Sequence, residues 1–539
     1  MVDAIDGGRG ILILYRLDGT ETEEAMTTAT LIEPRADAGQ RVGWRGWLAL
    51  VVLMLPVLLV SVDNTVLSFA LPAIALDLEP TSAQQLWIID AYPLVLAGLL
   101  VTMGVLGDRF GRRRMLLIGA TGFGIVSALA AFAPTAALLI AARAGMGVFG
   151  AMLMPSTLSL LRTVFTNRDQ RRLAIAIWAA GFSAGAALGP VVGGILLEHF
   201  SWGSVFLMAV PVLVPLLVLV PLLVPESRDP HPGRIDPVSI VLSMAALVPI
   251  VYAIKEFAVH GIVGLAPALF GVGVLFAVLF VRRQLRLETP MLDMALFRRG
   301  SFSGAILVNL LSVIALVGFL FFVAQHLQLI VGLSPLEAGL ALVPGLVAMI
   351  AAGLLVVPLA KRFSSRVIVP AGLAVSVLAY VTIAVTAQDG EVWVLSLAFV
   401  ALGIGIGMAE TVSNELILSS APPEKAGAAS AVSETAYELG AVLGTAVLGG
   451  LLTALYRGSL VLPDGVPAEA AEAARETLAG AVAAGRELDP GMAQQLRDAA
   501  AHAFDAGVGV TALIGAGLIV IAAVIAATTL ERTASASEH

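Results

Sequence analysis

Long apolar runs alternate with short polar connections from Trp47 to near the end of the chain. A membrane-crossing helix needs ~20 apolar residues. About fourteen runs meet that length: 47–70, 84–106, 115–133, 136–161, 173–197, 203–224, 237–256, 260–281, 302–330, 336–359, 367–386, 391–419, 427–456 and 507–530. Each is too long for a barrel strand. Only helices and closed barrels satisfy backbone groups in lipid, so helices are expected throughout.

The charges test this frame. Connections that follow odd-numbered spans, such as Pro72–Ala83, Ala133–Thr135, Glu198–Trp202 and Gly332–Pro335, hold no Lys or Arg, and Glu256–Val259 is flanked only by Lys255. Those that follow even-numbered spans hold Arg109, Arg112, Arg113 and Arg114, then Arg162, Arg168, Arg171 and Arg172, and later Arg282, Arg283, Lys361, Arg362, Arg366 and Lys425. Basic loops stay in the cytoplasm, which predicts both termini there.

Composition narrows the class. Of 539 residues, 58% are hydrophobic and 13% charged, and the mean hydropathy is +0.95. Soluble domains carry about a quarter charged residues, so a multi-pass membrane protein is expected. The net charge of −8, with basic residues scattered over short loops, offers no nucleic-acid face. Cysteine is absent, and His326, the one mid-span histidine, has no partner at metal-ligand spacing. Neither a metal, a cofactor nor an enzymatic activity is expected. None of the three lysines sits in a phosphate-binding loop, so energy must come from an ion gradient or another subunit. Residues 1–45 and 531–539 read as cytoplasmic tails; residues 1–40 are polar with one short apolar patch, Ile11–Tyr15, and are expected to be disordered. Residues 457–506 read as a solvated extracytoplasmic loop holding two short surface helices.

An internal repeat organises the rest. Leu106–Arg113 aligns with Leu359–Arg366 at an offset of 253, and Gly185–Gly189 aligns with Gly440–Gly444 at 255. This predicts a six-helix half over 46–225, two inserted helices and a linker over 226–300, and a second six-helix half over 301–530. Paired halves around a midplane site are the architecture of secondary transporters.

Motifs then carry the mechanism. The stretch Gly104-Val-Leu-Gly107-Asp108-Arg109-Phe-Gly111-Arg112-Arg113-Arg114 joins spans 2 and 3, with Asp108 placed to serve a helix N-terminus and bind arginine. It resembles the signature of the major facilitator superfamily at that place. In span 5, Gly185-Ala-Ala-Leu-Gly189-Pro190-Val-Val-Gly193-Gly194 permits close helix packing and a bend; it resembles the superfamily's exporter signature, which implies antiport. Asp63 and the residues around it, Thr65, Val66, Ala70, Leu71 and Pro72, resemble the first-helix signature of the fourteen-helix drug:proton antiporters. Acids at Asp90 in span 2 and at Glu434 and Glu438 in span 13 resemble those of quaternary-ammonium exporters.

Buried charges in membranes default to function. Arg143 in span 4 requires a partner, with Asp63 and Asp90 the candidates by depth. The segment Arg143-Ala-Gly-Met146-Gly147 resembles R-x-x-Q-G, with Met146 in place of Gln. Glu434 and Glu438, one turn apart, do not both ionise easily, so one is expected to carry a proton at neutral pH. Glu410 in span 12 lies deep, whereas Glu415 is expected to reach water. Trp178, Phe182, Phe321, Phe322 and Tyr437 are expected to pack rather than to form a cation cage.

The resemblance implies a monomeric exporter in the inner membrane that trades lipophilic or quaternary-ammonium cations for protons. The alternative is a narrower exporter of a tetracycline-like or other natural product, neutral or zwitterionic. An uptake symporter is disfavoured by the span 5 signature.

Overall fold

The computed structural model describes residues 4–6, 11–13, 42–228, 236–261, 263–287, 290, 292, 294–360, 362–386, 391–420 and 426–530. The helices that correspond to the spans are α1 (Trp44–Leu78), α2 (Ser82–Phe110), α3 (Arg112–Ala130), α4 (Ala136–Val164), α5 (Arg168–His199), α6 with α7 (Ser204–Leu207, Ala209–Leu223), α8 (Pro237–His260) and α9 (Ala266–Gln284). The second half adds α10 (Gly300–Gln325), α11 (Pro335–Ala360), α12 (Ser365–Thr386), α13 (Val392–Ser419), α14 with α15 (Ala426–Leu443, Gly450–Ser459) and α18 (Pro490–Thr529). Thirteen are long and apolar enough to cross a membrane by their described residues, and α5 is the fourteenth long helix, at 32 residues.

The glycine motifs place the helices. A Cβ at Gly185 would strike Ser61 and the Leu58 carbonyl of α1, and one at Gly189 would strike Thr65 and the Val62 carbonyl. In the second half Gly440 meets Leu310 and Val313 of α10, and Gly444 meets Ile314 and Val317. The repeat is therefore structural: α5 packs on α1 as α14 packs on α10. The halves meet where Gly194 abuts the Leu336 backbone and Gly339 abuts the Pro190 carbonyl, joining α5 to α11.

The inserted pair docks on the first half. Met244 of α8 fills the gap left by Gly98 on α2, and α9 lies against α8 at Gly273. Asp236 caps α8 and takes two 2.8 Å hydrogen bonds from Arg283 at the end of α9. Those bonds hold its carboxyl well below the usual carboxylate range, with Ser239 adding to the effect and burial opposing it.

Four expectations change. Span 6 begins as the single turn α6 and resumes as α7, because Pro211 has no N–H for the carbonyl four residues earlier. Span 14 starts at Pro490, not 507: Asp489 accepts from the amides of Gly491 and Met492, and the helix continues unbroken through the last third of the expected loop. The two short helices exist, as α16 (Ala468–Glu476) and α17 (Leu478–Ala484), but they are not a solvated cap. Ala474, Leu478 and Ala481 are buried, and Tyr456 donates to the Ala474 carbonyl at 2.7 Å. Within the N-terminal tail, β1 (Ala4–Asp6) pairs antiparallel with β2 (Ile11–Ile13) instead of lacking structure. We call the end of the molecule that carries α16 and α17 the cap end, and the opposite one the basic end.

Candidate functional site: a carboxylate cluster between the halves

Arg143 is 1% exposed and Asp63 5%, so neither charge can be left to water. They pair at 2.6 Å. Arg143 also donates to the Ile88 carbonyl at 3.2 Å and lies over the Tyr92 ring, 4.7 Å from its centroid. Of the two partners expected by depth, Asp63 on α1 is the one that α4 reaches.

Asp90 takes a different cation. Its carboxylate lies 2.9 Å from Nζ of Lys255 on the inserted helix α8, with both side chains buried. Lys255 donates to the Leu86 carbonyl at 3.1 Å and sits 3.9 Å over the Trp87 ring. Thr445 approaches Asp90 from the second half. Sequence reasoning passed over Lys255 as a flank of a short connection. The signal it left was a lysine inside an apolar run, at the depth of an acid in a neighbouring span.

Glu438, 2% exposed, lies beside Asn64 of α1 and within electrostatic range of Glu434, Asp63 and Arg143. Tyr437 lies among Glu410, Glu434 and Glu438. One oxygen each of Glu410 and Glu438 is buried without a hydrogen-bond partner. Among the described residues none of these three glutamates is ion-paired. Glu415 is exposed, as expected. The structure thus gathers Asp63, Asp90, Arg143, Glu434 and Glu438 between the halves, with Glu410 beside Tyr437, and adds Lys255.

Among the expected packing aromatics, Phe321 and Phe322 are buried, and Trp178 donates to Thr157 at 3.3 Å. The side chain of Phe182 lies outside the described residues, as do Lys361 and Lys425.

At the basic end Asp108 binds Arg112 at 2.8 Å, but it does not serve the α3 N-terminus. Glu226 does, accepting from the Arg113 amide at 3.0 Å. This carboxylate follows α7, so the motif clasps the far end of the same half. Gly111 adopts φ +113, and a Cβ there would press on the Glu226 carboxylate. Gly104 has room, with Pro155 at 3.5 Å; Gly107 likewise makes only ordinary contacts, and Arg109 is exposed.

The family follows from comparison with known proteins. The Major Facilitator Superfamily model matches residues 53–445. The chain belongs to the major facilitator superfamily. It is 56% identical to the multidrug efflux pump LfrA of Mycolicibacterium smegmatis, over 90% of this chain and 97% of that one. It is 38% identical to the methyl viologen resistance protein SmvA of Salmonella typhimurium (86% and 93% covered) and 32% identical to the tetracenomycin C resistance and export protein of Streptomyces glaucescens (93% and 95% covered). Among solved structures, an inward-facing bacterial homologue of the lysosomal transporter Spinster superposes with a TM-score of 0.63 at 18% identity, covering 91% of this chain and 98% of that one. The protein is a multi-pass membrane transporter of the facilitator fold, and not an enzyme.

Proposed function

We propose that this protein exports lipophilic organic cations from the cytoplasm in exchange for protons, by alternating access of the two halves, as a monomer with its basic end and both termini in the cytoplasm. The carrying observation is the imbalance of the cluster. Asp63 and Asp90 are each paired with a buried cation, while among the described residues Glu410, Glu434 and Glu438 are not. Buried carboxylates without a cation favour either a proton or a bound cation, and not both. Two ligands that compete for the same groups are thereby coupled in opposite directions. Methyl viologen, named in one relative, is itself an organic dication, which supports the same cargo class.

Asp63–Arg143 and Asp90–Lys255 then act as poised pairs. A cargo cation reaching Asp90 has to compete with Lys255, and protonation of Asp63 releases Arg143. The export relative of Streptomyces supports a second reading, in which the cargo is a neutral polyketide-like product and the acids serve protons alone.

The test is ethidium efflux from proteoliposomes under an imposed pH gradient. Wild type should extrude ethidium, and Glu438→Gln and Asp63→Asn should each lower the rate at least tenfold, equivalent to about 1.4 kcal/mol. Undiminished gradient-driven efflux in Glu438→Gln would remove the cluster from the cycle. Transport of neutral polyketides but not ethidium would favour the second reading.

A further inference from the structure

A third buried pair lies on helices that contribute nothing to the carboxylate cluster. Nδ1 of His326 is 2.8 Å from Oδ1 of Asp505 on α18, and their side chains are 8% and 11% exposed. The other ring nitrogen, Nε2, is buried and has no hydrogen-bond partner. His326 opens a π-helical turn, His326–Ile330, that ends α10; the Val331 amide donates back to the His326 carbonyl at 3.0 Å. Two residues on, Gln328 donates to the Phe69 carbonyl of α1 at 3.1 Å, tying this turn to the other half.

We propose that His326 and Asp505 form a proton-binding site of the second half, filled from the cap side, with the proton held at Nε2. With a neutral ring the pair carries one net negative charge in a nearly dry place. A proton on Nε2 makes it a neutral imidazolium–carboxylate pair, which burial tolerates far better. A small cavity lies nearby. A cavity of about 20 Å3 between the halves is lined by Gln325 and Phe504, the residues preceding each member, together with Gln85, Thr453 and Glu476 of α16. That is room for one water.

Asp505 is the one charged group seen against the ring among the described residues. The other charges on the packed elements are engaged elsewhere or exposed. On α11, Glu337 accepts from the Ser334 amide, and on α1, Asp77 accepts from Trp202. On α18, Arg497 and His502 are exposed and Asp498 binds Gln494; α17 carries no charged residue.

The protonated pair suits the sealed cap end, and the unprotonated pair requires water. Outer protons therefore drive resealing of the α1–α10 and α5–α11 seams. This place in the cycle rests on the exporter reading; the titration itself does not.

The experiment has two arms. In nanodiscs, imidazole NMR of the full chain should show, among its histidine signals, one that changes with pH, vanishes in His326→Gln and shifts its midpoint in Asp505→Asn. Because the chain has no cysteine, Leu336→Cys at the α5–α11 seam can be labelled with an impermeant maleimide. Because maleimide reacts with the thiolate, labelling at each pH is scaled to that of the same variant unfolded; the scaled labelling should fall as outer pH drops through that midpoint and become independent of pH when His326→Gln is added. A signal that does not titrate, or the same pH dependence of the scaled labelling in His326→Gln, would overturn the proposal. Titration and gating intact while wild type moves no ethidium would instead remove the cation-export reading and leave the proposal standing.

Discussion

At the scale of single residues, the interior charges matter through their partners. Removing one member of a buried ion pair strands the other, at a cost of about 3–5 kcal/mol, whereas neutralising both can restore stability. Lys255→Met should therefore lower the melting temperature of the purified protein clearly, and Asp90→Asn with Lys255→Met should bring it back. If the lysine serves transport as well as stability, the recovered double variant will still export ethidium more slowly than wild type. A double variant that transports normally would make the pair a structural bolt. The acids Asp63, Asp90, Glu434 and Glu438 were legible from the sequence because a carboxylate inside an apolar run is conspicuous. Which cation each one meets was not, since Arg143 lies 80 residues from Asp63, and Lys255 reaches Asp90 only because α8 docks on α2.

At the scale of elements, small residues set how closely helices approach. Gly189→Val would drive a side chain into Thr65 and the Val62 carbonyl, and overpacking of this kind costs about 1–3 kcal/mol or more. It should abolish efflux while the protein still inserts, as judged by membrane yield. Gly104→Ala, with only Pro155 at 3.5 Å, should transport at close to the wild-type rate. The latch between α8 and α9 adds a pH prediction. The Asp236 carboxyl titrates below its ordinary range because Arg283 stabilises its charged form. Its contribution is thus complete above about pH 4, the unfolded value, and is lost as pH falls toward the lower folded value. A melting-temperature series against pH should show wild type ahead of Asp236→Asn above pH ~4 and converging with it below. The elements themselves were mostly legible, since lipid demands long apolar helices. The exceptions were local: Pro211 interrupted one span, the Asp489 cap started α18 early, and the alanine-rich α16 and α17 packed inward although their composition suggested a solvated surface.

At the scale of the whole molecule, the halves are sealed against each other where α5 meets α11. Gly194 and Gly339 face backbone across that seam, which has no flexible side chain to yield. Gly194→Val should prop the cap end apart, raising maleimide labelling of Leu336→Cys and dissipating the proton gradient that drives ethidium out. Unchanged labelling would place the seam elsewhere. From the sequence alone came the spans, the two halves and the inserted pair, because apolar length, loop charge and repeats are local properties of the chain, and the resemblance of its motifs pointed to the family. Only the tertiary structure decided the pairings: Asp63 with Arg143, Asp90 with Lys255, His326 with Asp505 across 179 residues, and Glu226 rather than Asp108 at the start of α3. Those depend on how each helix is turned about its axis and how closely its glycines let a neighbour approach, and the order of residues along one helix does not state either.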